Sequence, residues 1–152
     1  MDSGGFHFSN DGSGAWALGV WGANESQTMD PGGAALFNNR IGSTTTVTLI
    51  GGGTFDFNAI DLADVYNDGT GGNVLFTFSD GMGTTAQTVT LDGMVGGQTF
   101  SFNRTGLSSF TMQGVTTTSQ VLQFDNVVVN NAIGAIPEPS AWALMILGFG
   151  LV

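Results

Sequence analysis

No cysteine and no lysine occur in these 152 residues, and only Arg40 and Arg104 carry a permanent positive charge. The first absence excludes a disulfide scaffold and thiolate metal sites. The second, set against twelve carboxylates, leaves a formal net charge of −10. Such a surface repels phosphates and anionic headgroups, so nucleic-acid binding is not expected. Histidine is almost absent too. His7 stands alone, without the companions that a histidine zinc site needs. A Ser-His-Asp arrangement has only this residue to build on, and it lies in an N-terminal Phe6-His7-Phe8 alternation with no sign of a catalytic setting. Glycoside hydrolysis needs two carboxylates facing each other across a groove. Of the two glutamates, Glu138 belongs to a C-terminal motif described below, and Asp56 and Asp61 sit among strand and turn residues. We therefore expect no enzyme activity.

What is abundant is glycine, at 25 residues, together with Thr, Ser and Asn, a composition suited to a turn-rich all-β extracellular module. Apolar residues alternate with polar ones in short runs, the period of strands with one buried face. The runs lie at Ala15–Trp21, Ala34–Asn38, Thr45–Ile50, Thr54–Leu62, Asn73–Ser79, Thr85–Leu91, Gln98–Asn103, Leu107–Gln113 and Gln120–Asn130. They predict a single antiparallel β-sandwich of eight or nine strands over residues 1–130. Its inward faces would be Phe55 and Phe57, Val74, Phe76 and Phe78, Val89 and Leu91, Phe100 and Phe102, and Phe110 and Met112. Near Ala59 the apolar face resumes only after one extra residue, at Ile60 and Leu62, which predicts a bulge. Asp68-Gly69, Asp80-Gly81 and Asp92-Gly93 supply turn dipeptides at strand boundaries, so most aspartates are expected to serve the backbone.

The C-terminus is of another kind. Residues 131–136 read as a linker, followed by Pro137-Glu138-Pro139-Ser140-Ala141-Trp142-Ala143 and an uninterrupted small and apolar run to Val152. This resembles the PEP-CTERM sorting signal of the PEPxxWA variety, with Pro137, Glu138, Pro139, Trp142 and Ala143 on the pattern. The resemblance implies an exported protein of a Gram-negative, exopolysaccharide-producing bacterium, at the cell envelope, cell surface or extracellular matrix. It also implies processing by a membrane exosortase and a hydrophobic C-terminal helix. A spanning helix needs about 20 residues. The apolar run from Ala141 holds twelve and lacks the family's basic end, so residues 137–152 are expected to be a truncated signal. No signal peptide opens the chain at Met1-Asp2-Ser3-Gly4-Gly5, and that end is likewise expected to be incomplete.

A second resemblance rests on Gly53-Thr54-Phe55-Asp56-Phe57-Asn58-Ala59-Ile60-Asp61-Leu62 and Gln123-Phe124-Asp125-Asn126-Val127-Val128-Val129. These segments look like the jelly-roll ectodomains of PEP-CTERM proteins, similar in build to carbohydrate-binding modules. Such modules often hold one calcium ion by the final strand. The resemblance implies Asp125 as a ligand, with Glu25 or Asn24 on the other side. The alternative is that Asp125 accepts ordinary hydrogen bonds. The loop Asp64–Gly72 is a second candidate cation loop, although it lacks EF-hand spacing. Exopolysaccharide is the expected partner, and the exposed aromatics best suited to stack on a sugar are Tyr66 and Trp21. The function expected is therefore a non-catalytic surface or matrix protein, with a calcium-dependent carbohydrate-binding module as the alternative and a glycan hydrolase behind both.

Overall fold

Alternation of large apolar with β-branched or polar residues, broken by glycine, gives ten antiparallel strands in this computed structural model. It describes residues 1–14, 17–21, 34–40, 42–64, 71–94, 96–115 and 122–133; the side chains of residues 21 and 130–133 are not described. The strands are β1 (Asp2–Ser3), β2 (Phe6–Asn10), β3 (Leu18–Trp21), β4 (Ala35–Asn38), β5 (Thr44–Leu49), β6 (Thr54–Asp64), β7 (Asn73–Asp80), β8 (Gly83–Thr90), β9 (Gln98–Gly114) and β10 (Leu122–Ile133). The all-β antiparallel class read from the sequence is the class observed. Among the described residues no helix is long and apolar enough to cross a membrane.

The strands form one curled sheet in the order β1-β2-β5-β9-β6-β10-β4-β3, with the β7–β8 hairpin on the other edge of β9. Strand β9 makes the curl possible. Its first part pairs with β6 from Leu62↔Gln98 to Phe55↔Leu107, and its second part lies between β5 and β7. Two segments expected as separate strands, Gln98–Asn103 and Leu107–Gln113, are therefore a single strand of 17 residues. Between them sit Asn103 and Gly106, both left-handed at φ 50° and 68°. Each lies where the ladder to β6 slips by one residue, and such bulges bend a strand without ending it. The short N-terminal hairpin β1–β2 was not expected; Phe6 and Phe8 point inward from it, while His7 faces out to Asp2 at 2.6 Å.

The expected bulge near Ala59 is present. Val128 pairs with Ala59 and Val129 with Phe57, leaving Asn58 as the additional residue on β6. Burial follows the shift: Phe55 and Phe57 are buried, then Ile60 and Leu62. These side chains join Phe76, Phe78, Phe102, Phe110 and Met112 in one core. Phe57 is central, its ring 4.2 Å from that of Phe110 and 5.2 Å from that of Phe102. The expected inward faces are buried, except that Phe100 is only partly so. Strand β10 continues to Ile133, opposite Thr54, through the first residues of the stretch read as a linker.

Candidate functional site

Asp125 stands on β10 directly opposite Asp61 on β6, and Asp61 in turn faces Thr99 on β9. Residues opposite each other in an antiparallel ladder share a face, so Thr99, Asp61 and Asp125 form a row across three strands. Gln123, two residues before Asp125, shares that face in the next row, beside Ala63 on β6 and Phe37 on β4. This is the side of the sheet away from the phenylalanine core, because Leu62 and Phe124 between these positions belong to the core.

The row bends at Asn126. Between Asp125↔Asp61 and Val128↔Ala59 strand β10 has one residue more than β6, and Asn126 adopts φ 47°. Asparagine tolerates that left-handed conformation better than most residues, and here its side chain has a task as well. Its Nδ2 donates to Asp61 Oδ2 at 2.8 Å, while Thr99 Oγ1 donates to Asp61 Oδ1 at 2.5 Å. The Asn126 backbone N–H donates to Asp125 Oδ1 at 2.8 Å. All of these donors are neutral. The two cations are engaged elsewhere, Arg40 through Nε with the Ser13 carbonyl, and Arg104 with Gln87 Oε1 and over the Phe78 ring at 4.9 Å.

Two cavities adjoin Asp125 from different sides. One, of about 250 Å³, is a groove between the N-terminal hairpin and β10, with Phe6, Phe8, Leu36 and Val127 in its wall and Asp125 and Asn126 at its rim. The other, of about 10 Å³, has room for one water-sized body and is lined, mostly through apolar atoms, by Asp61, Leu62, Ala63, Gly97, Gln123, Phe124 and Asp125. A larger, open basin of about 600 Å³ lies between two loops at Asp11, Ser13, Asn39 and Arg40. There Asp11 Oδ1 accepts the Thr44 N–H and Arg40 holds the Ser13 carbonyl, so its polar groups tie the loops to one another.

Of the metal, sugar and sorting residues that the resemblances implied, Asp125 alone has a described side chain. Glu25, Asn24, Tyr66 and the motif Pro137, Glu138, Pro139, Trp142 and Ala143 lie outside the described residues, as does the side chain of Trp21. Asp64 closes β6 as a buried residue, and residues 65–70 of its loop are also outside. The residues that sequence reasoning did not assemble are Asp61, Thr99, Gln123 and Asn126. Only the strand register brings them together. The pair Asp56 and Asp61 does not converge on one point: Asp56 accepts the Gly106 N–H at 2.9 Å, whereas Asp61 serves Thr99 and Asn126.

No protein-family model matches the chain, and no curated protein does. Among solved structures the chain resembles the CBM32 of AlyQ, determined in complex with 4,5-unsaturated mannuronic acid. That likeness has a TM-score of 0.47 and 17% identity, over 76% of this chain and 95% of the other. It also resembles the enzymatically active domain of tailspike protein 4 of bacteriophage CBA120, with a TM-score of 0.44 and 13% identity. The second match covers 84% of this chain and 19% of the tailspike chain. With TM-scores below 0.5, neither likeness bears on what this chain binds.

Proposed function

We propose that this chain is a non-catalytic exported protein whose acidic β domain is delivered to the cell surface or extracellular matrix by a PEP-CTERM-type signal, and that it associates there with exopolysaccharide. The observation that carries this reading is Pro137-Glu138-Pro139-Ser140-Ala141-Trp142-Ala143 running into an apolar stretch, a rigid island beside a membrane-seeking segment. The arrangement of the carboxylates supports it. Asp11, Asp56, Asp80, Asp92 and Asp125 each accept a backbone N–H, which ties them to turns and bulges. The test is expression in an exosortase-bearing host as a fusion to an export signal and to a basic membrane-spanning tail. Replacing Pro137, Glu138 and Pro139 by alanine should abolish surface delivery and processing. Unchanged delivery would refute the reading.

A second reading, a carbohydrate-binding module, is favoured by the groove beside β10. Its apolar wall and its Asp125–Asn126 rim offer the two contacts a sugar needs, a surface for C–H groups and acceptors for hydroxyls. Retention of the 152-residue chain on immobilised exopolysaccharide, weakened by Val127→Asp, would support it. Equal passage of both proteins through the matrix would leave the surface-protein reading alone.

A further inference from the structure

We infer that β8 is a self-association edge: two copies of this chain pair antiparallel along Gly83–Thr90 and continue the sheet across a two-fold axis. Among the described residues β8 is paired with β7 on one side and with no strand on the other. In an antiparallel ladder every second residue turns its N–H and C=O away from its neighbour. The outer side of β8 therefore presents a row of main-chain donors and acceptors, the template that an added strand uses.

The other open edges are blunted in ways that discourage such pairing. Strand β1 has two residues and β3 has four. The first part of β9 and the later part of β10 pair with β6 alone among the described strands, and both ladders are bulged, with Asn103 and Asn126 left-handed. Strand β8 has none of these devices. Its eight residues pair with β7 in one unbroken register, and no proline, lysine or carboxylate falls within residues 81–91. Its threonines favour extended backbone. Asp80 Oδ1 accepts the N–H groups of Met82 and Gly83 at one end, and Thr90 Oγ1 donates to Asn73 Oδ1 at the other. In the middle, Arg104 donates to Gln87 Oε1 at 3.1 Å. A strand tied at both ends and at its centre has little left to order when it pairs.

Charge and symmetry identify the occupant. At a net charge of −10 two copies repel over most of their surface, and the uncharged residues 81–91 are a line along which they can approach. A basic partner would instead be drawn to the carboxylates elsewhere. A two-fold axis at Gln87 sets Thr84 opposite Thr90 of the second copy, Thr85 opposite its Val89 and Ala86 opposite its Thr88. These are small or β-branched pairs, and no like charges meet. The contact uses the same patch on both copies and closes on itself, so it ends at a dimer. Apart from Val89 and the half-buried Gln87, the residues of β8 are exposed, and no apolar patch accompanies the edge. The interface is therefore at the weak end of the specific range, below about 1,200 Å². The inference rests on neither functional reading.

The experiment is sedimentation of the 152-residue chain at concentrations from about 10 μM to about 1 mM, the span of weak association. The parent should pass from monomer to dimer mass as concentration rises. Raising the salt from about 0.05 M to about 0.5 M screens the repulsion and should strengthen the dimer. Thr88→Glu sets two carboxylates across the two-fold axis and should weaken it by about tenfold or more. Thr46→Glu adds the same charge on β5, inside the sheet, and should leave the dimer nearly unchanged. Because the chain has no cysteine, Ala86→Cys with Thr88→Cys gives a second readout. Mild oxidation should link two copies through this pair, and Thr46→Cys with Thr48→Cys should not be linked. A parent that stays monomeric at every concentration would overturn the inference. So would equal association of the two glutamate variants, or equal cross-linking of the two cysteine pairs, either of which would place the contact elsewhere.

Discussion

Replacing Asn126 by alanine and by glycine separates the two things this residue does at the bulge. Its backbone is left-handed at φ 47°, and its side chain donates to Asp61 Oδ2 at 2.8 Å. Alanine loses both advantages. The hydrogen bond to a carboxylate is worth about 1–1.5 kcal/mol at an exposed position, below the range of about 1.5–3 for charged partners in general. The left-handed conformation costs alanine about 1 kcal/mol more than it costs asparagine or glycine. Asn126→Ala should therefore lose about 2–2.5 kcal/mol. Asn126→Gly also loses the hydrogen bond, but adopts the positive φ freely, and should stand about 1 kcal/mol above the alanine variant even though glycine gives the unfolded chain more freedom. Urea titrations at constant slope would measure both. In a chain of this size the gap between the variants corresponds to about 2–4 °C in melting temperature. Alanine equal to or better than glycine would mean that Asn126 is not held left-handed, and the register that brings Asp125 opposite Asp61 would be wrong.

Three further outcomes follow from the packing and the charge. Phe57→Ala removes a fully buried ring that touches Phe76, Phe78, Phe102 and Phe110, and should destabilise by about 4–5 kcal/mol, the upper part of the range for such truncations; the partly buried Phe100 should lose less than half as much on the same change, and equal losses in the unfolding midpoint would refute a core centred on Phe57. A Cβ at Gly71 would come within 2.0 Å of the Leu91 carbonyl oxygen, whereas Gly81 has nothing within 4 Å and no positive φ. Gly71→Ala should therefore destabilise by more than 2 kcal/mol, and Gly81→Ala should stay within about 0.5 kcal/mol of the parent by chemical denaturation. Solubility should fall as pH approaches the isoelectric point near 4.1, because protonating carboxylates removes the repulsion of a chain with net charge −10 and only two cations; light scattering unchanged from pH 7 to 4 would show that the acidic surface does not keep the molecules apart.

The fold class was legible because strand formation here depends on local pattern. Phe55 and Phe57, then Ile60 and Leu62, display both the period of two and its interruption, and the structure places the extra residue at Asn58. The turns were legible for a similar reason: Asp80 accepts the N–H groups of Met82 and Gly83, and Asp92 that of Met94, contacts within three residues in sequence. The C-terminal motif is read from adjacent residues alone and needs no fold.

The fusion of two expected strands into β9 was not legible. Asn103, Arg104, Thr105 and Gly106 fall between the two expected strands, and only pairing with β6, at Arg104 and Leu107, carries the strand through them. Nor was the Asp61–Asp125 pair. These residues are about half the domain apart in sequence, and whether they meet, or face opposite sides of the sheet, depends on register, where a slip of one residue reverses every side chain. By itself the sequence determined composition, strand period, turn chemistry and the terminal motif, because each is set by neighbours along the chain. Tertiary structure alone decided which carboxylates share a face, because contacts between distant strands are fixed only when the whole sheet closes on its core.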